Sequence, residues 1–306
     1  VVGRLREGSL RVWPAGGHGG RDVLTGHRGY VDTVEWSRDG TRLLTSGHDG
    51  TARIWERATG EQLLEIRAGD GLIHSASWDP AEALVLTAGD DGVARAWRSR
   101  DGAPAWTLPP AGAPLLFAAW SPDGRRVATD GLDGLVRVHA AGGAGEPRLL
   151  AGHEAGITHV AFSPDGRTIV SASQLDLSVR LWAEGREGAR TLRADRGVYR
   201  SGLSPRGDLL AVAEWDGPLR LFRAADLGEL PPLQAWPERL WTSAWSPDGR
   251  RLALASGDGS VRIVSADGRG EPAVLRGHQG LVSHVAFRPD GRELASASEI
   301  GRASCR

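Results

Sequence analysis

The residues best suited to chemistry in this sequence are aspartates that recur in Asp-Gly pairs. Carboxylates bind calcium or act as acid–base pairs when several of them converge. Here they come singly and at regular intervals, at Asp49-Gly50, Asp91-Gly92, Asp133-Gly134, Asp216-Gly217 and Asp258-Gly259. Their surroundings lack the alternating acidic pattern of a calcium-binding loop. Because Asp-Gly readily forms tight turns, we interpret these carboxylates as turn residues.

Metal ligation and nucleophilic catalysis would rest on the histidines and serines, and neither chemistry has a recognisable motif. No two of the nine histidines stand at the i, i+4 spacing of a metal-binding helix. Serine never occupies the G-x-S-x-G turn of a serine hydrolase. Lysine is absent, which excludes a Schiff-base lysine and a Walker phosphate loop, and Cys305 is the only cysteine. We predict no catalytic residue, no metal site and no cofactor.

The elements that would position such residues follow from an internal repeat of about 42 residues. The bulky residue that closes one recurrent strand falls at Trp36, Trp78, Trp120, Phe162, Leu203, Trp245 and Phe287. A Gly-containing turn usually follows it, and a second Asp-Gly turn comes shortly afterwards. The runs between these turns are rich in Val, Leu, Ile and Thr, alternate in polarity and are too short for helices. Each repeat is therefore predicted to hold four short antiparallel strands, which makes the chain all-β.

The segment GHRGYVDTVEW…TRLLTSGHDGTARIW (residues 26–55) resembles the WD-repeat, or beta-transducin-like, family of β-propellers. The resemblance covers about residues 1–299. It implies that His, Ser or Thr, Asp and Trp side chains hydrogen-bond in series as a tetrad within a blade. Two complete tetrads are expected: His27, Thr45, Asp49 and Trp55 in blade 2, and His153, Ser171, Asp176 and Trp182 in blade 5.

The remaining blades are expected to have lost part of the tetrad and to depend on apolar packing instead. Blade 3 keeps Thr87, Asp91 and Trp97 but has Gly69 in the His position; blade 4 has His139 in the Trp position. Blades 6 and 7 keep the turn aspartate, with Phe222 and Val264 in place of Trp.

The strand count predicts a seven-bladed WD-repeat β-propeller. Blades 2 to 7 occupy about residues 30–275, and blade 1 is split between residues 1–25 and 281–299. The two chain ends would then pair within blade 1 and cover the sheet edges that an open array exposes. The alternative is a longer gene with two propellers, which would contain the same segment.

Composition bears on the source and on the ends of the chain. Met, Lys and Asn are absent while Arg, Ala and Gly abound, which is the bias of a GC-rich genome and predicts a bacterial protein.

The tail EIGRASCR (299–306) matches an in-frame translation of a common sequencing adapter. We therefore expect about residues 300–306 to be non-native. We also expect the gene to extend beyond this segment, with a kinase or NTPase domain upstream as in similar bacterial arrays.

Charge and hydropathy limit the partners. With 37 basic against 38 acidic residues, the chain lacks the net basic charge that nucleic-acid binding needs. No apolar stretch is long enough to cross a membrane, and a cytoplasmic location is favoured although the sequence leaves it open. Seven arginines share one register, and the family resemblance implies that they pack along the blade flanks: Arg11, Arg53, Arg95, Arg137, Arg180, Arg220 and Arg262.

Aromatic residues outside the repeating positions give the best candidate surface. Loops on one face of a propeller would bring together Tyr199, Trp215, Trp236, Glu238, Arg239 and Trp241. Aromatics with arginine are typical of an interaction hot spot, whereas refilling of volume lost with the degenerate tetrads is the competing explanation. The sequence predicts a non-catalytic scaffold that binds proteins or peptides on its loop face, within a larger bacterial signalling protein. The alternatives are a propeller enzyme with its site in the central channel and a nucleic-acid-binding propeller.

Overall fold

A computed structural model of the chain describes residues 8–16, 22–69, 71–215, 217–233 and 240–298. The predicted turns and alternating runs produce 27 strands in these residues. The first two are β1 (Ser9–Pro14) and β2 (Asp22–Thr25). Blade 2 contains β3 (Val31–Trp36), β4 (Arg42–Gly47), β5 (Thr51–Glu56) and β6 (Gln62–Arg67). Blade 3 contains β7 (Ile73–Trp78), β8 (Leu84–Gly89), β9 (Arg95–Arg98) and β10 (Pro104–Thr107).

The later blades follow the same order. Blade 4 contains β11 (Ala118–Trp120), β12 (Arg126–Thr129), β13 (Leu135–Ala140) and β14 (Arg148–Ala151). Blade 5 contains β15 (His159–Phe162), β16 (Thr168–Ser173), β17 (Ser178–Ala183) and β18 (Arg190–Arg193). Blade 6 contains β19 (Val198–Leu203), β20 (Leu209–Glu214) and β21 (Leu219–Arg223). Blade 7 contains β22 (Leu240–Trp245), β23 (Arg251–Ser256), β24 (Ser260–Ser265) and β25 (Ala273–Arg276), and the chain returns through β26 (Val282–Phe287) and β27 (Glu293–Ser298).

Each blade is an antiparallel sheet whose strands, from the centre outwards, are called a, b, c and d. Blade 1 has the order β2-β1-β27-β26, so both chain ends build one sheet. Strand β1 pairs with β27 along its full length, from Ser9 opposite Ser298 to Pro14 opposite Glu293. The predicted seven-bladed propeller with one split blade is confirmed.

The innermost strands close into a ring. Strand a of each blade contacts strand a of the next, in the order β3, β7, β11, β15, β19, β22, β26 and back to β3. They surround a cavity of about 840 Å³, the central channel, to which every blade contributes residues such as Val34, Ala118 and Val285. The described residues contain no helix that is long and apolar enough to cross a bilayer.

The apolar core is divided into seven clusters, one at each interface between neighbouring blades. Between blades 1 and 2, for example, Leu10 and Val12 pack against Val34, Trp36 and Leu43. Because each blade has too little apolar surface to form a core alone, burial of its two faces requires both neighbours.

Blade 6 departs from the four-stranded pattern. Within the described residues its sheet has three strands, and a single bridge between Phe222 and Glu229 stands where strand d would run. Pro231 and Pro232 follow immediately. Proline has no N–H to donate to a ladder, so two prolines in succession weaken the pairing of this segment with strand c.

Candidate functional site

The blade 2 tetrad residues predicted from the sequence lie in one hydrogen-bonded series. His27 contacts Asp49 through Nδ1 (3.0 Å) and Thr45 Oγ1 through Nε2 (2.7 Å). The Trp55 indole N–H donates to the same Thr45 oxygen at 2.9 Å. The series ties the entry loop, strand b, the b–c turn and strand c together.

The blade 5 tetrad has the connectivity of a catalytic triad. Ser171 Oγ lies 2.8 Å from His153 Nε2, and His153 Nδ1 lies 2.7 Å from Asp176. However, the Trp182 N–H also donates to Ser171 Oγ, at 2.8 Å, and the His153 and Asp176 side chains are 0% and 2% exposed. Burial lowers the pKa of His153, although its bond to Asp176 opposes that effect. A substrate cannot reach this serine, so the arrangement is structural.

A third series joins the two chain ends, and sequence reasoning did not assemble it. Trp13 of β1 donates to Ser296 of β27 at 2.8 Å, and His278 Nε2 contacts the same hydroxyl at 2.7 Å. Ser9 Oγ lies 3.3 Å from His278 Nδ1, on the side where Asp stands in the complete tetrads. The Gly-His pair at 277–278 and the register of Trp13 were the available clues.

Arginines in the shared register form ion pairs with the turn aspartates. Arg53 reaches Asp49 at 3.1 Å, and Arg262 reaches Asp258 at 3.0 Å. The same pairing occurs between Arg95 and Asp91, where the distance is 2.6 Å. These cations are therefore engaged by the turn aspartates and do not form an open cationic ring.

A repeated bulge in strand a creates a pocket on the loop face. In five blades the pairing between strands a and b skips one residue: Asp32, His74, Tyr199, Trp241 and Ser283. Bulges re-aim side chains, and all five line one cavity of about 250 Å³, together with the equivalent Leu116 and Thr158. We call this cavity the channel-mouth pocket.

One wall of the channel-mouth pocket is aromatic. Tyr199 and Trp215 each meet the Trp241 ring edge-on, at centroid distances of 5.0 and 4.9 Å. Three of the six residues predicted for a partner-binding surface are thus in contact, and Trp241 lies within strand a rather than in a loop. Trp236, Glu238 and Arg239 lie outside the described residues, as does the tail 300–306.

Arg200 lies beside this wall and lines both the pocket and the central channel. Its guanidinium carbon lies 4.7 Å from the centre of the Phe117 ring. Burial lowers the pKa of Arg200 to about 10, which leaves it charged at neutral pH. Within the described part of the chain, no carboxylate forms an ion pair with it.

The opposite wall holds a cluster of histidines and aspartates that the sequence did not predict. Asp32 Oδ2 lies 2.9 Å from His48 Nε2 and 3.0 Å from His74 Nδ1, and Asp90 Oδ1 lies 2.8 Å from His74 Nε2. Burial alone would lower the pKa of His74, but the bonds to both aspartates outweigh it and the pKa is raised. Burial likewise opposes ionisation of Asp32, yet the two histidines hold its pKa below the usual value.

Two buried acids have strongly raised pKa values: Glu35, which lines the channel, and Asp130, which follows strand b of blade 4. Burial raises the pKa of Glu35 and that of Asp130 to about 8 each, against backbone hydrogen bonds from Trp78 and Leu116. In the described residues, neither acid is hydrogen-bonded to a hydroxyl or imidazole that it could activate. General acid–base catalysis requires such a contact with the reacting group or its nucleophile, so these acids do not form a recognisable catalytic set.

One family of known sequences matches this chain in five segments. The sequence profile described as WD domain, G-beta repeat matches residues 21–56, 60–98, 146–183, 233–265 and 271–299, which together make up more than half of the chain. The two longest internal stretches left between matches, 99–145 and 184–232, contain the first three strands of blades 4 and 6, both of which lack the tetrad Trp.

Several curated proteins match over short segments. Small ribosomal subunit protein RACK1 of Glycine max is 43% identical over 49 residues, 16% of this chain and 15% of the relative. RACK1y of Oryza sativa subsp. japonica is 35% identical over 69 residues, 22% of this chain and 20% of the relative. Ribosome biogenesis protein erb1 of Aspergillus oryzae is 44% identical over 48 residues, 16% of this chain and 6% of the relative.

These alignments span a fifth or less of the length of each relative, so they extend over little more than one blade. The family assignment therefore depends on the profile matches, the tetrads and the closed ring of blades. On these grounds the chain belongs to the WD40 family, described as WD domain, G-beta repeat.

Proposed function

We propose that this protein is a non-catalytic scaffold that binds a protein or peptide at the channel-mouth pocket. The observation that carries the proposal is the repeated bulge, which directs one side chain from each of five blades into a single cavity. The position just before each bulge is aliphatic in all five blades, whereas the bulged positions themselves differ in every blade. A rigid frame with varied side chains at one place is suited to selective recognition.

The chemistry of the pocket specifies the partner segment. The aromatic wall of Tyr199 and Trp241, with Trp215 packed against Trp241, offers contact area for an apolar or aromatic side chain. Arg200, which has no described carboxylate partner, favours an acidic side chain directly beside it. A peptide that carries an apolar anchor next to Asp or Glu meets both requirements.

The biological setting is part of the proposal. We place the propeller as the docking half of a larger bacterial signalling protein, on the basis of composition and of the similar arrays described above. The relatives it matches are plant and fungal, so they lend no weight to a bacterial source. Their names associate those proteins with the ribosome or its biogenesis, which accords with a role in assembly.

Neither competing function has a specific observation in its favour. A channel enzyme would need a nucleophile joined to a base in an accessible position, and the triad-like set at Ser171 is buried. A nucleic-acid-binding propeller would need free cations, whereas Arg53, Arg95 and Arg262 are held by turn aspartates.

Selection from a peptide library tests the proposal. The purified chain is used to select peptides from a random displayed library, and the affinity of the enriched peptides is measured by fluorescence anisotropy. We expect enrichment of acidic residues next to an apolar one. Trp241→Ala should weaken binding at least about 10-fold, because a central aromatic anchor contributes about 2 kcal/mol.

Trp106→Ala is the matched control. Trp106 lies on the outer strand β10, away from the pocket, and packs edge-on against Trp120. This substitution should leave the affinity unchanged. Equal loss in both variants, or enriched peptides that bind Trp241→Ala as well as the wild-type chain, would overturn the proposed site.

A further inference from the structure

The cluster opposite the aromatic wall is built from two pairs of equivalent positions. Asp32 and His74 are the bulged residues of blades 2 and 3, and His48 and Asp90 follow strand b in the same two blades. In each pair the two residues are one repeat apart in sequence. Neighbouring blades thus bring Asp32, His48 and His74 to one wall of the channel-mouth pocket, with Asp90 hydrogen-bonded to His74.

The donor atoms already converge. Single ligand atoms of Asp32, His48 and His74 all lie within 4.8 Å of one another. Both imidazole nitrogens lie against the same Asp32 oxygen, at 2.9 and 3.0 Å. Tetrahedral zinc with bonds of about 2.0–2.1 Å separates its ligand atoms by about 3.3 Å, so small rotations would admit an ion.

The surrounding residues fix the orientation of the two rings. Asp90 holds His74 through Nε2, on the far side of the ring from Asp32, at 2.8 Å. A carboxylate on the other ring nitrogen is the usual outer support of a metal-binding histidine. The His48 ring packs edge-on between Tyr30, at 5.0 Å, and His74, at 5.7 Å.

The hydrogen bonds of His74 require additional positive charge at its ring. A neutral imidazole carries a single N–H, yet His74 faces a carboxylate oxygen at each of its two nitrogens. One of these contacts is therefore left without a proton in the neutral ring; either a second ring proton or a bound cation can fill it. A divalent ion at Nδ1 would satisfy Asp32 and leave the N–H of His74 for Asp90.

We propose that Asp32, His48 and His74 bind a divalent transition-metal ion, with Asp90 as the outer support of His74. Two imidazoles and one carboxylate form a donor set that suits zinc. Three protein ligands leave a coordination position directed at the channel-mouth pocket, which these residues line. Water or a donor atom of a bound molecule would take that position. The inference stands independently of the proposed peptide binding.

Calorimetric titration with zinc chloride tests the site directly. The full chain is first treated with a chelator and then titrated, and we expect saturation at an equimolar amount of zinc. His48→Gln and His74→Gln each remove a ligand and should abolish saturable binding at concentrations that saturate the wild-type chain. Asp90→Asn keeps the ligands and should weaken binding about 10–100-fold, as loss of an outer carboxylate does elsewhere.

His139→Gln is the matched control for loss of a histidine. His139 is buried in blade 4, where Nδ1 makes no hydrogen bond to a described residue, and it does not line the channel-mouth pocket. It should bind zinc like the wild-type chain. Cobalt(II) provides a second readout, because the intensity of its visible d–d absorption reports the coordination geometry of the bound ion, and this spectrum should be lost in His48→Gln.

Circular dichroism of each metal-free variant establishes that it is folded. Absence of saturable zinc binding by the wild-type chain would overturn the proposal. Equal affinity in folded His48→Gln and His74→Gln would overturn it as well. Unchanged affinity in Asp90→Asn would remove Asp90 from the site.

Discussion

Asp130 is a buried carboxylate whose two oxygens have different environments. The Leu116 N–H donates to Oδ1 at 3.0 Å, while Oδ2 has no hydrogen-bond partner in the described residues. Burial raises the pKa of Asp130 to about 8, from 3.8 for an exposed aspartate. Asp130 is therefore protonated and neutral in the folded protein at every pH well below 8.

This raised pKa predicts a pH-dependent stability. Between about pH 4 and pH 8 the folded state holds a proton that the unfolded state has released, so the free energy of unfolding falls as the pH rises, by at most about 1.4 kcal/mol per pH unit. Asp130→Asn removes this contribution. Its stability relative to wild type should therefore increase across this window and level off above it.

Urea unfolding of both proteins at several pH values measures that difference. Every other titrating group is common to the two chains, so their contributions cancel in the comparison. If the stability difference between Asp130→Asn and wild type is the same at every pH, Asp130 does not carry the raised pKa.

At the scale of the blade, the tetrads and the bulges have different roles in the sheet. The tetrad of blade 2 links the loop at His27 to strands b and c through Thr45 and Trp55. The bulge at Asp32 interrupts the ladder between strands a and b and directs a side chain to the channel mouth. Residues that recur from blade to blade maintain the sheet, and residues that differ face the pocket.

Thr45→Val tests how much a complete tetrad stabilises its blade. The substitution removes the hydroxyl shared by His27 and Trp55 and leaves two buried polar groups without their partner. We expect the free energy of unfolding to fall by about 2–4 kcal/mol. Thr129→Val is the matched control in blade 4, because Thr129 is equally buried but makes no side-chain hydrogen bond to a described residue.

Calorimetric melting and urea unfolding of the two variants give the comparison. The control should lose less than about 1 kcal/mol. Similar losses in Thr45→Val and Thr129→Val would mean that the tetrad contributes no more than an ordinary buried threonine.

At the scale of the whole molecule, stability depends on closing the ring in blade 1. Each of the seven apolar clusters lies between two blades, so an open ring would expose the faces buried in two of them. The contact that closes the ring is the pairing of β1 with β27, reinforced by the bond from Trp13 to Ser296.

Trp13→Phe should loosen this closure more than the same change within a continuous blade. It removes the indole N–H bond to Ser296 while retaining an aromatic ring, at a cost of about 1–2 kcal/mol. Trp97→Phe removes an equivalent bond of 2.9 Å, to Thr87, within the uninterrupted blade 3. Native-state proteolysis monitored by mass spectrometry should show faster cleavage near residues 8–25 in Trp13→Phe only.

Equal cleavage rates near this segment in the two variants would show that the Trp13 bond does not hold the ring closed. A global loss of stability without selective cleavage would lead to the same conclusion. Circular dichroism measured alongside separates the two cases.

Much of the architecture is determined by local sequence. The repeat of about 42 residues, the Asp-Gly turns and the short alternating runs determine strands and hairpins, because turn geometry and strand pleating depend on neighbouring residues. The same patterns gave the number of blades and the tetrad residues such as His27 and Trp55. Blade 6 differs because Pro231 and Pro232 deny its fourth strand backbone donors, a feature visible in the sequence but outweighed there by the repeat.

The sites on the loop face were decided by tertiary structure. A bulge becomes apparent only when two strands are paired, so the sequence did not show that Asp32, His74 and Trp241 point into one pocket. Spacing rules for metal ligands search within one element, whereas His48 and His74 meet because the b–c turn of blade 2 lies beside strand a of blade 3. Local sequence determined each blade, and the closed ring decided which side chains share a cavity, because that depends on contacts between blades.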